Sequence, residues 1–202
     1  MKKLYLSSIL AASCLYNIEA VLQKAELVEI QEINPAIEVD LIWASSNNEL
    51  GLILYPDGAQ CYLHKEAAFA LDQVQSELTI YGYGLKILEG YRPLSAQRII
   101  WDHVGFNPPY PEYGRHALGT AVDLTLINLF DGSAVPLPAY QSREINPEFI
   151  ENLTQEQRDN LEILKGLMEK YGFIQHAAEW FHFDFHNYET FAALDDQFSE
   201  LA

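Results

Sequence analysis

Apolar and polar positions change period several times along the chain, and each change predicts an element. Val39 to Ala44 is a mostly apolar run closed by the polar turn Ser45-Ser46-Asn47-Asn48, which predicts a strand. Tyr55-Pro56-Asp57-Gly58 is a turn sequence. Ala68, Leu71, Val74, Gln75 and Leu78 recur at helical spacing and predict a helix from about His64 to Ile80, ended by Gly82 and Gly84. Leu85 to Glu89 predicts a short strand that runs into the loop Gly90-Tyr91-Arg92-Pro93, and a second helix is predicted over Ser95 to His103. Asn107 to Gly114 holds three prolines and predicts a loop, whereas Ala121 to Leu126 alternates as a strand does. Residues 128 to 148, with three prolines and little periodicity, predict an irregular excursion. A capping box, Thr154-Gln155-Glu156-Gln157, opens a third helix. Its apolar face is Leu161, Leu164, Leu167, Met168 and Tyr171, and Gly172 stops it. Trp180 to Phe185 predicts a final strand.

Strands without regular βαβ alternation imply an α+β fold: a single domain with a mainly antiparallel sheet and helices packed on one side. At 202 residues the chain is long enough to bury a sizeable core. Its first twenty residues read differently. Met1-Lys2-Lys3, the apolar stretch Leu4 to Tyr16 and the small Ala20 have the layout of a secretory signal, too short to span a bilayer, which needs ~20 residues. The expected division is therefore a signal peptide over 1–20 and one folded domain over 21–202, exported to the periplasm, with no transmembrane span in the mature chain. Ala11-Ala12-Ser13-Cys14 also resembles a lipoprotein processing site, so anchoring through Cys14 is an alternative; a buried N-terminal helix is another.

Charge narrows the partners. With 12 Lys+Arg against 29 Asp+Glu the net charge is −17, and removal of residues 1–20 leaves 10 against 28, or −18. Nucleic-acid binding by phosphate neutralisation needs a basic face and is excluded on this ground. Two cysteines, Cys14 and Cys61, are too few for a disulfide scaffold or a Cys-rich zinc knot. Any metal must be held by histidines and carboxylates. Cys61 sits among apolar neighbours and reads as an inert core residue.

Three segments carry polar groups where a core element would not want them. In Gly114-Arg115-His116-Ala117-Leu118-Gly119-Thr120-Ala121-Val122-Asp123, His116 precedes a turn and Asp123 lies within an apolar strand. A carboxylate there must be paired, hydrogen-bonded or metal-bound; the plainer alternative is that Asp123 caps a turn and His116 is a loop residue. In Glu179-Trp180-Phe181-His182-Phe183-Asp184-Phe185-His186, period-2 alternation puts His182, Asp184 and His186 on one face and three phenylalanines on the other. Glu179 needs a kink to face the same way as His182, and His186 reads better as a solvated edge residue. The third segment is Glu89-Gly90-Tyr91-Arg92-Pro93, in which Pro93 fixes the backbone after Arg92.

Taken together, His116, Asp123 and His182 have the composition of a catalytic zinc site, three N/O ligands with a fourth position left to water. Such an ion brings the pKa of its water to ~7. Glu179 is then a candidate general base that passes the proton to a leaving amine, Arg92 a candidate stabiliser of negative charge on a carbonyl oxygen, and Asp184 a candidate partner orienting a ligand histidine.

The order Glu89-Gly90-Tyr91-Arg92-Pro93, His116-x₆-Asp123, Glu179-Trp180-Phe181-His182 resembles the zinc D-alanyl-D-alanine dipeptidases of the VanX type, peptidase family M15, over roughly Val39 to His186. Asp40-Leu41-Ile42-Trp43-Ala44, Tyr62-Leu63-His64-Lys65-Glu66-Ala67-Ala68 and Ala121-Val122-Asp123-Leu124-Thr125-Leu126 add to the likeness. The resemblance implies one zinc ion on His116, Asp123 and His182, Glu179 as catalytic base, Arg92 facing the oxyanion, and a small D-amino-acid dipeptide as substrate. Four positions depart from the family pattern. Glu89 stands for Asp, Trp43 for a tyrosine and Gly114 for a serine, and the acidic residue expected within 137–146 has only Ser142 or Glu144 as its nearest match. The change at Glu89 is mild; at 43, 114 and 137–146 the resemblance implies polar groups that recognise the substrate's free amino end. A D,D- or L,D-carboxypeptidase acting on peptidoglycan stem peptides is therefore the alternative enzyme, and a non-catalytic zinc-stabilised peptidoglycan-binding module the non-enzymatic one. Oligomeric state is left open.

Overall fold

The computed structural model describes residues 22–105, 114–140, 145 and 147–201. The expected signal segment, Cys14, the proline-rich stretch 107–113, Ser142 and Glu144 lie outside the described residues. In chain order, strand β1 (Leu27–Glu29) meets the single turn α1 (Ile30–Ile33) and strand β2 (Glu38–Val39). Strand β3 (Tyr62–His64) leads directly into helix α2 (Lys65–Leu78), and β4 (Tyr83–Glu89) is followed by α3 (Leu94–Val104). Then come β5 (Ala121–Asn128), α4 (Pro147–Asn152), α5 (Gln155–Lys170), β6 (Phe173–Gln175), β7 (His182–Phe185) and the short α6 (Phe198–Leu201).

Five strands form one sheet in the order β2-β4-β5-β7-β6, with β2 parallel to β4 and every other pairing antiparallel; β1 and β3 make a separate antiparallel pair. This is the expected α+β class. Alternation explains its two faces. Leu85 opposes Leu126, Ile87 opposes Leu124, Val122 opposes Phe183 and Phe185 opposes Phe173, so these side chains share one face, all buried. Helices α2 and α5 pack together with that core, through Ala68, Leu71, Val74, Leu164 and Met168 among others. Each of the larger side chains among these, taken fully out of water, contributes ~1.5–3 kcal/mol. The other face of β5 and β7 carries Asp123, His182 and Asp184. Greasy and ionisable halves of the sheet are thus separated by the pleat.

The capping box is present as the sequence predicts: Gln157 N–H donates to Thr154 Oγ1 at 3.1 Å, and the Gln157 side chain accepts from Thr154 N–H at 3.0 Å. Other boundaries move. Only Glu38–Val39 pair as a strand where Val39 to Ala44 was expected; from Leu41 the chain coils into a 3₁₀ turn (Ile42–Ala44). Trp43 and Leu41 are buried by this turn rather than by a ladder, and Trp43 O accepts from both Leu54 N and Tyr55 N. Gly82 alone ends the α2 region, at φ 75°, while Gly84 lies within β4. The last strand starts at His182 instead of Trp180, because residues 176–181 turn tightly to bring β7 back on β6.

The C-terminal segment runs back beside the turn that precedes β5. Leu194 N donates to Ala117 O and Leu94 N to Leu194 O, so one residue ties the turn bearing His116 to the start of α3. Phe198 packs on Tyr55 at 4.6 Å between ring centroids.

Candidate active site

The site is built where the last residue of β4 meets the first residues of β5 and β7. Between β4 and β5 the pairing shifts: Ile87 opposes Leu124, yet Glu89 opposes Asp123. One surplus residue, Leu88, makes this a β-bulge and turns Glu89 from the apolar face to the face that carries Asp123. Glu89 is fully buried there and accepts a hydrogen bond from Tyr55 Oη. Burial raises its pKa, opposed by the nearby positive charge of Arg92.

His116 lies on a 3₁₀ turn (Arg115–Leu118) that Gly119, at φ 72°, closes. Its Nδ1 contacts Gly90 O at 2.9 Å, which leaves Nε2 toward Asp123 Oδ1 at 3.3 Å. Across the ladder, His182 Nδ1 is 2.8 Å from the same oxygen, and His182 Nε2 is 3.2 Å from Asp184 Oδ1. The three residues are buried, and one ligand atom from each lies within 4.8 Å of the others. Two donors ~2.1 Å from one ion at a tetrahedral angle lie ~3.4 Å apart, so this spacing fits a cation held by two imidazoles and a carboxylate. The electrostatics agree. Burial raises the Asp123 carboxyl, but His116 beside it and hydrogen bonds from both histidines outweigh this and hold it well below the usual carboxylate range. Burial lowers His182, but hydrogen bonds to Asp123 and Asp184 prevail and the ring is pushed up to about 10. The pocket favours positive charge.

Glu179 sits in the turn before β7, where His182 N donates to Glu179 O, and this turn supplies the kink that the alternation requires. Its Oε2 is 3.8 Å from His182 Nδ1, and the side chain is partly exposed at 26%. Arg92 is buried beside Glu89, and its backbone N–H donates to His116 O at 3.2 Å. Burial lowers its pKa, but the negative charge of Glu89, with Asp123 further off, more than restores it and the guanidinium stays charged. His186 is exposed and outside the cluster. Cys61 is buried with a free thiol.

Several neighbours are not legible in the sequence. Tyr140 Oη donates to Asp123 Oδ2 at 3.2 Å from within the aperiodic excursion. The His176 ring lies 5.3 Å from that of His182. Arg115 Nη1 donates to Asp184 Oδ2 at 2.7 Å while its Cζ sits 4.0 Å over the Tyr188 ring. The signal for Arg115 was its place next to His116.

Residues 23–202 match the family described as D-Ala-D-Ala dipeptidase. The chain belongs to this M15 peptidase family. It is 33% identical over 186 residues to the D-alanyl-D-alanine dipeptidase of Escherichia coli (strain K12), covering 86% of this chain and 92% of that one. The D-alanyl-D-alanine dipeptidase of Enterococcus faecalis (strain ATCC 700802 / V583) is 28% identical, covering 59% and 70%. Among solved structures, the LdcB LD-carboxypeptidase aligns over 90% of this chain and 86% of its own at 19% identity and a TM-score of 0.44. As a member of this peptidase family, the chain departs from the expected pattern in ways that can now be located. Trp43 is buried with Arg92 Cζ 5.7 Å from its ring centroid, and its Nε1 has no acceptor among the described residues. Gly114 lies against the Gln97 side chain.

Proposed function

We propose that this M15 peptidase is a zinc-dependent hydrolase that splits the D-alanyl-D-alanine dipeptide into two D-alanines. The observation that carries the reading is the convergence of His116, Asp123 and His182 on one point, with Glu179 beside it. In this reading His116 Nε2, Asp123 Oδ1 and His182 Nδ1 hold the ion. Zinc held there would bring the pKa of its water to ~7 and polarise the scissile carbonyl. Glu179 takes a proton from the attacking water; its partial exposure keeps it open to both water and substrate. As the C–N bond breaks, Glu179 returns that proton to the departing amine nitrogen. Arg92 faces the negative charge that builds on the carbonyl oxygen, at a site dry enough to strengthen that attraction.

A D,D- or L,D-carboxypeptidase is the second reading, and one observation favours it. Trp43 and Gly114 offer no side-chain acceptor for a free ammonium where the family resemblance implies tyrosine and serine. A non-catalytic binder is disfavoured, since it needs neither a carboxylate such as Glu179 nor a buried arginine such as Arg92. Hydrolysis of D-Ala-D-Ala should be compared with that of its N-acetyl form, each before and after chelation and zinc add-back. Preference for the free dipeptide with zinc-restored activity supports the dipeptidase. Preference for the acetylated form transfers the assignment to the carboxypeptidase, and bound zinc without turnover of either substrate or of muropeptides leaves only the binder. Export to the periplasm is part of the proposal; N-terminal sequencing of the mature protein should begin after Ala20. Among the described residues, no helix is long and apolar enough to cross a membrane.

A further inference from the structure

Arg92 has been taken almost wholly out of water, at 8% exposure, and its surroundings hold it unequally. Glu89 Oε2 is 3.5 Å from Nη2, close enough to attract but too far for a good hydrogen bond. The Trp43 ring lies 5.7 Å from Cζ and restrains the guanidinium without fixing its rotation. Nε has no acceptor among the described residues. Among the described residues, the short side-chain hydrogen bond of Arg92 is Nη1 to Gln97 Oε1 at 2.6 Å, with the Tyr55 hydroxyl also interacting with the guanidinium. Charge-assisted bonds of this length are roughly twice as strong as neutral ones. Gln97 is itself 4% exposed and sits in the first turn of α3, where its N–H donates to Pro93 O at 3.1 Å. The helix start therefore carries both the end of the arginine loop and the acceptor that aims the arginine.

Gly114 completes the arrangement from the other side. Its φ of −72° is open to any residue, so its lack of a side chain is not a matter of backbone conformation. Space explains it: a Cβ at 114 would lie 2.7 Å from Gln97 Oε1 and 3.1 Å from Gln97 Cδ. The same oxygen that receives Arg92 occupies the room a serine would need. The departure at 114 is thus coupled to residue 97.

We propose that Gln97 is a positioning residue that aims Arg92 at the reacting carbonyl, and that Gly114 is its space-making partner, the two acting as one unit. This rests on the reading of Arg92 given above. The test is steady-state kinetics on D-Ala-D-Ala, or on its N-acetyl form if that is the better substrate, with zinc content and Tm measured in parallel. Gln97→Met keeps length but loses the oxygen acceptor; kcat should fall roughly 10- to 100-fold, a modest share of the loss typical for removing an oxyanion donor outright. KM, zinc content and Tm should stay near wild type. Gln97→Glu retains the acceptor and should keep kcat within about threefold of wild type, a rescue that a merely structural role would not produce. Gly114→Ser should lower kcat by pushing Gln97 off Arg92, yet add almost nothing in a Gln97→Ala background. Full kcat in Gln97→Met, equal losses in the Met and Glu variants, or additive losses at 97 and 114 would overturn the proposal. Arg92→Ala separates the layers: full turnover there, or no hydrolysis by the wild type, defeats the reading of the site and this inference with it. Collapse in Arg92→Ala alongside full kcat in Gln97→Met defeats the inference only.

Discussion

Asp123 and His182 stand directly opposite each other on β5 and β7, with Asp123 Oδ1 2.8 Å from His182 Nδ1. The sheet's own register therefore brings together two residues that are 59 positions apart in the chain. His116 joins them from the turn that feeds β5, so little besides the ladder is needed to gather the set.

Removing a member of the set should remove the metal. Asp123→Ala and His182→Ala should lose zinc affinity by more than the 10- to 100-fold typical of losing a group that merely orients a ligand. Chelator-competition titration checks this. Wild-type protein stripped by chelator should lose hydrolysis and regain it on adding zinc, and a stripped protein that stays fully active contradicts the whole scheme.

Glu179→Gln should separate binding from chemistry. Zinc content, Tm and KM should change little, because the carboxylate is partly exposed and lies 3.8 Å from His182. By contrast kcat should fall about 10²- to 10⁴-fold, the range for losing a positioned proton carrier. Single-turnover kinetics with metal analysis on the same sample would read both.

The chain Arg115–Asp184–His182 predicts a graded effect on metal affinity. Asp184 contacts His182 Nε2, and in the proposed reading this contact would fix the tautomer that leaves Nδ1 for the ion. Asp184→Asn should weaken zinc binding about 10- to 100-fold. Arg115→Ala, which leaves the carboxylate in place, should cost less, and Tyr188→Ala less again because the ring only steadies the guanidinium. Reversal of this order in competition titrations would count against the relay.

Alkali should destabilise the fold before it touches the exposed groups. Burial raises the Cys61 thiol and the Tyr55 and Tyr91 hydroxyls, the charge of Glu89 adding to the first two and Asp196 to the third. Each keeps its proton in the folded state at a pH where the unfolded chain has lost it, so folding binds more protons and stability falls as pH rises above ~9. Urea midpoints between pH 8 and 11 should decline steadily, and Cys61 should resist thiol reagents at pH 8 until the protein unfolds. Rapid labelling of the native thiol would refute its burial.

What the sequence announces and what it hides follow from the range of the interactions. Helix α5 is legible because its cap, its apolar face and Gly172 all lie within one short window. The alternating stretches of β5 and β7 are legible for the same reason. The run from Val39 to Ala44 misleads because an apolar stretch can be buried by coiling as well as by pairing, and only the later Leu54–Tyr55 backbone decides which. Glu89, His116, Asp123 and His182 stand out as residue types in unlikely places. Gln97, Arg115 and Tyr140 do not, since a polar residue on a helix, turn or loop is ordinary until its partner is seen. The shift in register at Leu88 leaves no local trace at all.

That single surplus residue has a price in evolvability. Were Leu88 to enter the ladder opposite Asp123, Glu89 would fall opposite Val122 and swing into the oily interior, stranding the arginine loop on the wrong side. Descendants of this chain in which Leu88 joins the ladder should therefore be nearly absent, whereas loss of Leu88 itself leaves the acid facing Asp123.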